Sequence, residues 1–123
     1  MAEVKVKEGE ELNGLGRMLK ETIDMNLRDP KIYKRVEKLK ASVVIRESTS
    51  GVAVTLNFRQ GEIEMQNDAI DKPNAYQEAG FENMAYISSG QISPTMALLT
   101  GKVKAKGNLL VLMKISPLMV LKG

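Results

Sequence analysis

From Phe81 to Gly123 the chain is rich in methionine and leucine, carries no acid after Glu82, and sets a capping residue at nearly every junction. Gly80 opens a helix running through Ser89, with Phe81, Met84, Ala85 and Ser88 on one side, and Gly90 is placed to cap its end. Ser93-Pro94 starts a second, short helix, with Ser as N-cap and Pro at the first helical position, and Gly101 stops it. Lys102 to Lys106 alternates as a strand, lysines outward and Val103 and Ala105 inward. Gly107-Asn108 caps a last helix from Leu109 to about Ser116, which Pro117 interrupts before the apolar tail. So apolar a stretch, cut into short capped pieces, must fold over a core or around a greasy ligand. Methionine, flexible and polarisable, suits irregular gaps and changeable binding surfaces.

The first 80 residues supply what those pieces fold onto. Residues 1–9 read as a frayed start. From Glu10 to about Arg28, Leu12, Leu15, Leu19, Ile23 and Leu27 recur at spacings of three and four, one stripe of an amphipathic helix widened by Met18 and Met25. Asp29-Pro30 ends it and caps a second helix lined by Ile32, Val36 and Leu39. At Ala41 the period changes to two. Ser42–Glu47 is a β-branched run ending in Ser48-Thr49-Ser50-Gly51. In Val52–Arg59, Val52, Val54, Leu56 and Phe58 face one way and Ala53, Thr55, Asn57 and Arg59 the other. Gln60-Gly61 turns into Glu62–Gln66, with Ile63 and Met65 inward. These three strands predict an antiparallel meander with one dry and one wet face. A polar loop, Asn67 to Asn74, leads to a strand over Ala75–Ala79. The expected fold is one α+β domain over residues 1–123: five strands in a mainly antiparallel sheet, with helices on one face.

Composition excludes much chemistry. There is no Cys and no His, which removes disulfides, thiolate nucleophiles, Cys/His zinc sites and histidine bases. Aromatics are only 4% of the 123 residues, so aliphatic side chains and eight methionines must fill the interior. The charged N-terminus has no apolar signal core and no apolar run approaches a membrane span, so a cytoplasmic protein is expected. The end, Leu121-Lys122-Gly123, is not a peroxisomal address.

Candidate sites are few. Gly14-Leu15-Gly16 lacks both the preceding strand and the third glycine of a dinucleotide fingerprint. Glu62 and Glu64 alternate with inward residues and so read as a wet strand face rather than an acid–base pair. Asp68 and Asp71 lack the spacing of a calcium loop. No catalytic residue, metal or cofactor is expected. The net charge of +3 is unevenly placed, because five lysines follow Glu82 unopposed. Lys102, Lys104 and Lys106 form a one-sided row without interleaved aromatics, which disfavours nucleic acid. It is a solvated face or a contact for an anionic membrane surface.

The run Gly90-x-x-Ser93-Pro94-x-Met96-Ala97-Leu98-Leu99-x-Gly101-Lys102-Val103-Lys104-x-Lys106-Gly107-Asn108 resembles the sterol carrier protein type 2 lipid-binding domain, and the element order agrees along the whole chain. The resemblance implies a five-stranded sheet and helices with an apolar tunnel between them. It further implies non-catalytic binding or transfer of a fatty acid, acyl-CoA, phospholipid or sterol-like molecule. The tunnel lining would come from Val54, Leu56, Phe58 and Ile63 on the strands and Met84, Met96, Leu99, Leu110, Met113, Leu118 and Met119 on the C-terminal elements. The alternative is a structural module whose apolar C-terminal surface is buried by a partner protein or by a second copy in a dimer.

Overall fold

The computed structural model describes residues 3–120, and the C-terminal Leu121-Lys122-Gly123 lies outside them. The elements are β1 (Val4–Val6), α1 (Gly14–Leu27), α2 (Pro30–Val36), β2 (Lys40–Glu47), β3 (Ala53–Arg59), β4 (Glu62–Asn67), β5 (Ala75–Ala79), α3 (Phe81–Ser88), α4 (Pro94–Leu99), β6 (Lys104–Gly107), α5 (Leu109–Ile115) and a 3-10 turn (Ser116–Met119). The sheet has six strands, not five, in the order β1-β4-β3-β2-β5-β6. The β2-β3-β4 meander is antiparallel as expected, and β5–β6 is antiparallel, while β1–β4 and β2–β5 are parallel.

The sixth strand lies in the segment expected to fray. Val4 is 1% exposed, opposite Ile63, and its N–H donates to Asp24 Oδ1 at 2.6 Å. A three-residue Val-Lys-Val alternation is too short to stand out locally; a parallel edge partner supplies what it lacks. The first helix begins at Gly14 rather than Glu10 for a similar reason. Glu10 Oε1 accepts from Asn67 N, and Glu11 O accepts from Asn67 Nδ2. Both bonds hold these residues extended until Asn13, whose Oδ1 caps Gly16 N at 2.8 Å. Gly16 has a packing role: a Cβ there would lie 3.2 Å from both Leu12 Cβ and Val54 Cγ1.

The helices cover the face that carries Val43, Ile45, Val54, Leu56, Phe58, Ile63 and Met65, all buried in the main core. The other face is drier than its sequence suggests. Ala53, Val44 and Thr55 are 3%, 0% and 0% exposed, although Ala53 and Thr55 lie on the side expected to be wet. The crossover from β4 to β5 traverses this face, and Thr55 Oγ1 donates to Asp68 O at 2.8 Å and accepts from Ile70 N.

Several cap assignments hold. Asp29 caps Lys31 N, Ser93 caps Met96 N, and Asn108 Oδ1 accepts from Leu110 N and Val111 N. α3 is capped at its end by Ser89, with Gly90 just beyond in the left-handed region at φ +81. β6 is shifted to Lys104–Gly107, leaving Lys102 ahead of the strand.

Candidate functional site

The interior is divided. The main core is built from α1, α2, the central strands, α5 and the 3-10 turn. A smaller cluster, Ala79, Ile87, Ala97 and Val103, lies beneath α3 and α4. Those two helices are lightly held: α3 buries only Ile87 and α4 only Ala97. Elements with so few buried contacts open at low free-energy cost.

Cavities lie along the seam between the clusters. One of about 40 Å³, under α3, is lined by Met18, Leu19, Ile45, Met84, Ile87 and Met119 among others. A second of about 40 Å³ is lined by Pro94, Leu98, Leu112 and Ile115. Gln77, Ile87, Val103 and Met119 border both. Met18 also borders an outer groove of about 330 Å³ that includes Leu15, Val52 and Phe81. Leu98 and Val103 also border an outer groove of about 390 Å³ with Leu99, Leu109 and Met113. Groove, cavity, cavity and groove therefore run in series across the protein. In this conformation the middle is closed: 40 Å³ has room for a few waters, whereas sites for whole ligands span roughly 300–1,000 Å³.

The expected lining residues separate into three groups. Met84 and Met119 border the seam. Val54, Leu56, Phe58, Ile63 and Leu118 are buried in the main core and border neither cavity. Met96, Leu99, Leu110 and Met113 are on the surface at 51%, 75%, 76% and 47% exposure, with Leu99 and Met113 on an outer groove. The reason is local: α5 reads Leu-Leu-Val-Leu-Met-Lys-Ile, apolar on nearly every side, so its sequence does not distinguish inside from outside. Val111, Leu112 and Ile115 face inward instead.

Glu47, absent from the expected site, ties the seam at one end. It closes β2 with the parity of Val43 and Ile45, so its side chain enters the helix-covered side. Oε2 accepts from Thr49 N (3.0 Å) and Phe81 N (3.1 Å), and Oε1 from Ser50 N (2.8 Å). Gly80, the N-cap of α3, has no side chain to cap it, so Glu47 serves that helix end. These backbone donors hold its carboxyl at a pKa of about 2, the bonds from Thr49 and Ser50 contributing most. A carboxylate so occupied is an anchor, not an acid–base catalyst. Because its pKa is depressed on folding, its stabilisation is fully present above about pH 4.5 and disappears as the pH falls towards 2. Glu47→Gln should lower the melting temperature at pH 7 and flatten its decline between pH 4.5 and 2, as read by thermal melts.

The remaining acids are dispersed. Glu62 pairs with Lys5 at 3.6 Å on exposed strand surface, and the half-buried Glu64 pairs with Arg59 at 3.5 Å. Lys104 and Lys106 stand opposite Glu78 and Tyr76 on the outer sheet face, where Lys106 Nζ lies 5.9 Å from the Tyr76 ring centre.

Residues 19–120 match the family model of the SCP-2 sterol transfer family. The chain belongs to that family. The match takes in the seam from Leu19 onward, and membership supports lipid binding or transfer as the family's general activity. No curated protein matches the sequence. Among solved structures, the apo sterol carrier protein 2 of Yarrowia lipolytica superposes with a TM-score of 0.64 at 16% identity, over 89% of this chain and 93% of that one. A UbiJ-SCP2 ubiquinone synthesis protein gives 0.64 at 14% identity, over 86% and 90%. A palmitated SCP2L2 from Aedes aegypti gives 0.56 at 17% identity, over 74% and 93%. These superpositions establish a shared fold.

Proposed function

We propose that residues 1–123 act as one non-catalytic unit that binds a long apolar lipid in the seam beneath α3 and α4. The observation that carries this is the series of apolar cavities under two lightly buried helices, in a chain of the sterol transfer family. The palmitated relative shares the fold and supports a single-chain lipid as one occupant. Swinging α3–α4 outward would join the two cavities, with Met84 and Met119 rearranging to become walls. Burying a C16 chain contributes roughly 12 kcal/mol at about 0.8 kcal/mol per methylene, against an association cost of about 4–15 kcal/mol. Micromolar affinity therefore requires that opening be cheap, which the sparse burial of α3 and α4 favours. Delipidated protein should take up one C16 fatty acid per chain in native mass spectrometry and bind a fluorescent fatty acid at micromolar concentration. Failure of both would remove the proposal.

The exposed residues Leu99, Leu109, Leu110 and Met113 support an accompanying contact. Leu99, Leu109 and Met113 line the groove beside β6, Leu110 follows Leu109 on α5, and Lys102, Lys104, Lys106 and Lys114 lie on the same segments, all exposed. A second copy docked there would bring like charges together, whereas an anionic bilayer would not. Each lysine near such a surface contributes about 1 kcal/mol. Changing Lys102, Lys104 and Lys106 together to Gln should weaken sedimentation with phosphatidylserine vesicles at least tenfold and leave lipid uptake from detergent unchanged.

We assign no catalytic role to the chain: the hydroxyl and amine contacts of its acids, Glu78 with Tyr76 on the outer sheet face, Glu82 with Tyr86 and Asp24 with Lys20, lie on the exposed sides of their elements, and Glu47 is spent on backbone N–H groups.

A further inference from the structure

Gln77 lies midway along β5, between Ala75 and Ala79, on the side turned towards the helices. It pairs with Ile45 of β2 and Ala105 of β6. Ala75 and Ala79, its neighbours on that side, are buried. Gln77 is the polar residue common to both cavities, and among the described residues no protein group hydrogen-bonds to its carboxamide. The other polar linings are committed or peripheral. Ser116 Oγ donates to Met113 O, the Glu78 carboxylate accepts from the Tyr76 hydroxyl on the opposite face, and Ser88 borders only the cavity under α3.

A carboxamide offers two N–H donors and one acceptor oxygen, and no charge. No lysine or arginine borders either cavity. A carboxylate drawn into the middle of the seam would be stripped of water without a counter-charge, which is strongly unfavourable. An ester carbonyl or a secondary hydroxyl would instead engage the carboxamide of the half-buried Gln77, which has no hydrogen-bond partner within the described protein.

We propose that the seam accommodates a neutral lipid whose polar function, an ester or a secondary alcohol, lies between two apolar arms, with Gln77 as its hydrogen-bonding anchor. One arm would lie beneath α3 along Leu19, Ile45 and Met84. The other would lie beneath α4 and α5 along Leu98, Leu112 and Ile115. This deepens, and rests on, the lipid-binding proposal above.

The test uses the delipidated full chain and two C16 probes, octyl octanoate, with a central ester, and hexadecane, with none. Each is titrated as a competitor of a bound fluorescent fatty acid. Wild type should prefer the ester about tenfold, the order of one buried hydrogen bond. Gln77→Met, similar in length but apolar, should bring that preference close to unity. Its melting temperature should equal or exceed that of wild type, because no bond within the protein is lost. Gln77→Leu should behave alike and guards against an effect peculiar to methionine. Equal affinity of wild type for both probes overturns the inference while leaving lipid binding intact. So does a preference that persists in both variants, or a variant that melts below wild type, which would make Gln77 a structural residue. Failure of octyl octanoate to displace the fatty acid from wild type, when that fatty acid itself binds, also overturns the two-armed class. If no lipid binds at all, both proposals fail together.

Discussion

Gly107→Ala should cost the protein about 2–5 kcal/mol. Gly107 sits at φ +83, and a Cβ there would come within 2.5 Å of Asn74 O and 3.2 Å of Ala75 Cα, both backbone atoms that cannot swing aside. The left-handed conformation alone costs an L-residue roughly 1–2 kcal/mol, and forced overlap in a packed setting typically adds about 1–3 kcal/mol. The same carbonyl accepts from Asn108 N at 2.8 Å, so moving the strand also loosens the N-cap of α5 and the cavity wall that α5 provides. Gly51→Ala is the control: it has a similar φ of +76 but open space around the new Cβ, so only the conformational part should appear. Urea melts of both variants separate the two contributions. Equal losses would show that the β6–α5 turn yields easily.

Asn26→Leu should have an effect of comparable size. Asn26 is 4% exposed, and its Nδ2 donates to Leu118 O and Val120 O, each at 2.8 Å. These bonds fasten the 3-10 turn, and with it Met119, to α1. Leucine fits the space but leaves two carbonyls without a donor, one of them in a buried contact. At about 1–3 kcal/mol for each group left unpaired, a loss of about 2–6 kcal/mol is expected, measurable as a lower denaturant midpoint with an unchanged slope. A shift below about 0.5 kcal/mol would mean that water replaces the amide and that the turn is not held from α1.

Much of this architecture can be read from the chain because local rules agree with the fold. The period-two stretches from Ser42 to Gln66 became the meander, and Ser93-Pro94 and Asn108 start helices where their capping chemistry says they should. The parts that could not be read depend on distant neighbours. β1 is three residues long and exists through β4; the parallel sense of β5 beside β2 leaves no mark in either segment. Thr55 is buried by a loop that ordinary alternation assigns no place. On α5 the apolar residues encircle the helix, so its sequence offers Leu110 and Met113 as lining no less than Leu112 and Ile115, which are the two that border the cavity. Glu47 had a usable signal. It shares parity with Val43 and Ile45, and an acid at an inward position calls for donors, here the backbone N–H groups of the adjacent turn and of α3.

The central claim is that α3 and α4 form the movable wall of a lipid site, and hydrogen–deuterium exchange with and without a saturating C16 lipid tests it most directly. Without lipid, amides of Phe81–Leu99 should exchange well ahead of those in β2 and β3, and lipid should slow them while leaving the meander unchanged. Amides in α3 and α4 protected as strongly as β3, and indifferent to lipid, would contradict it.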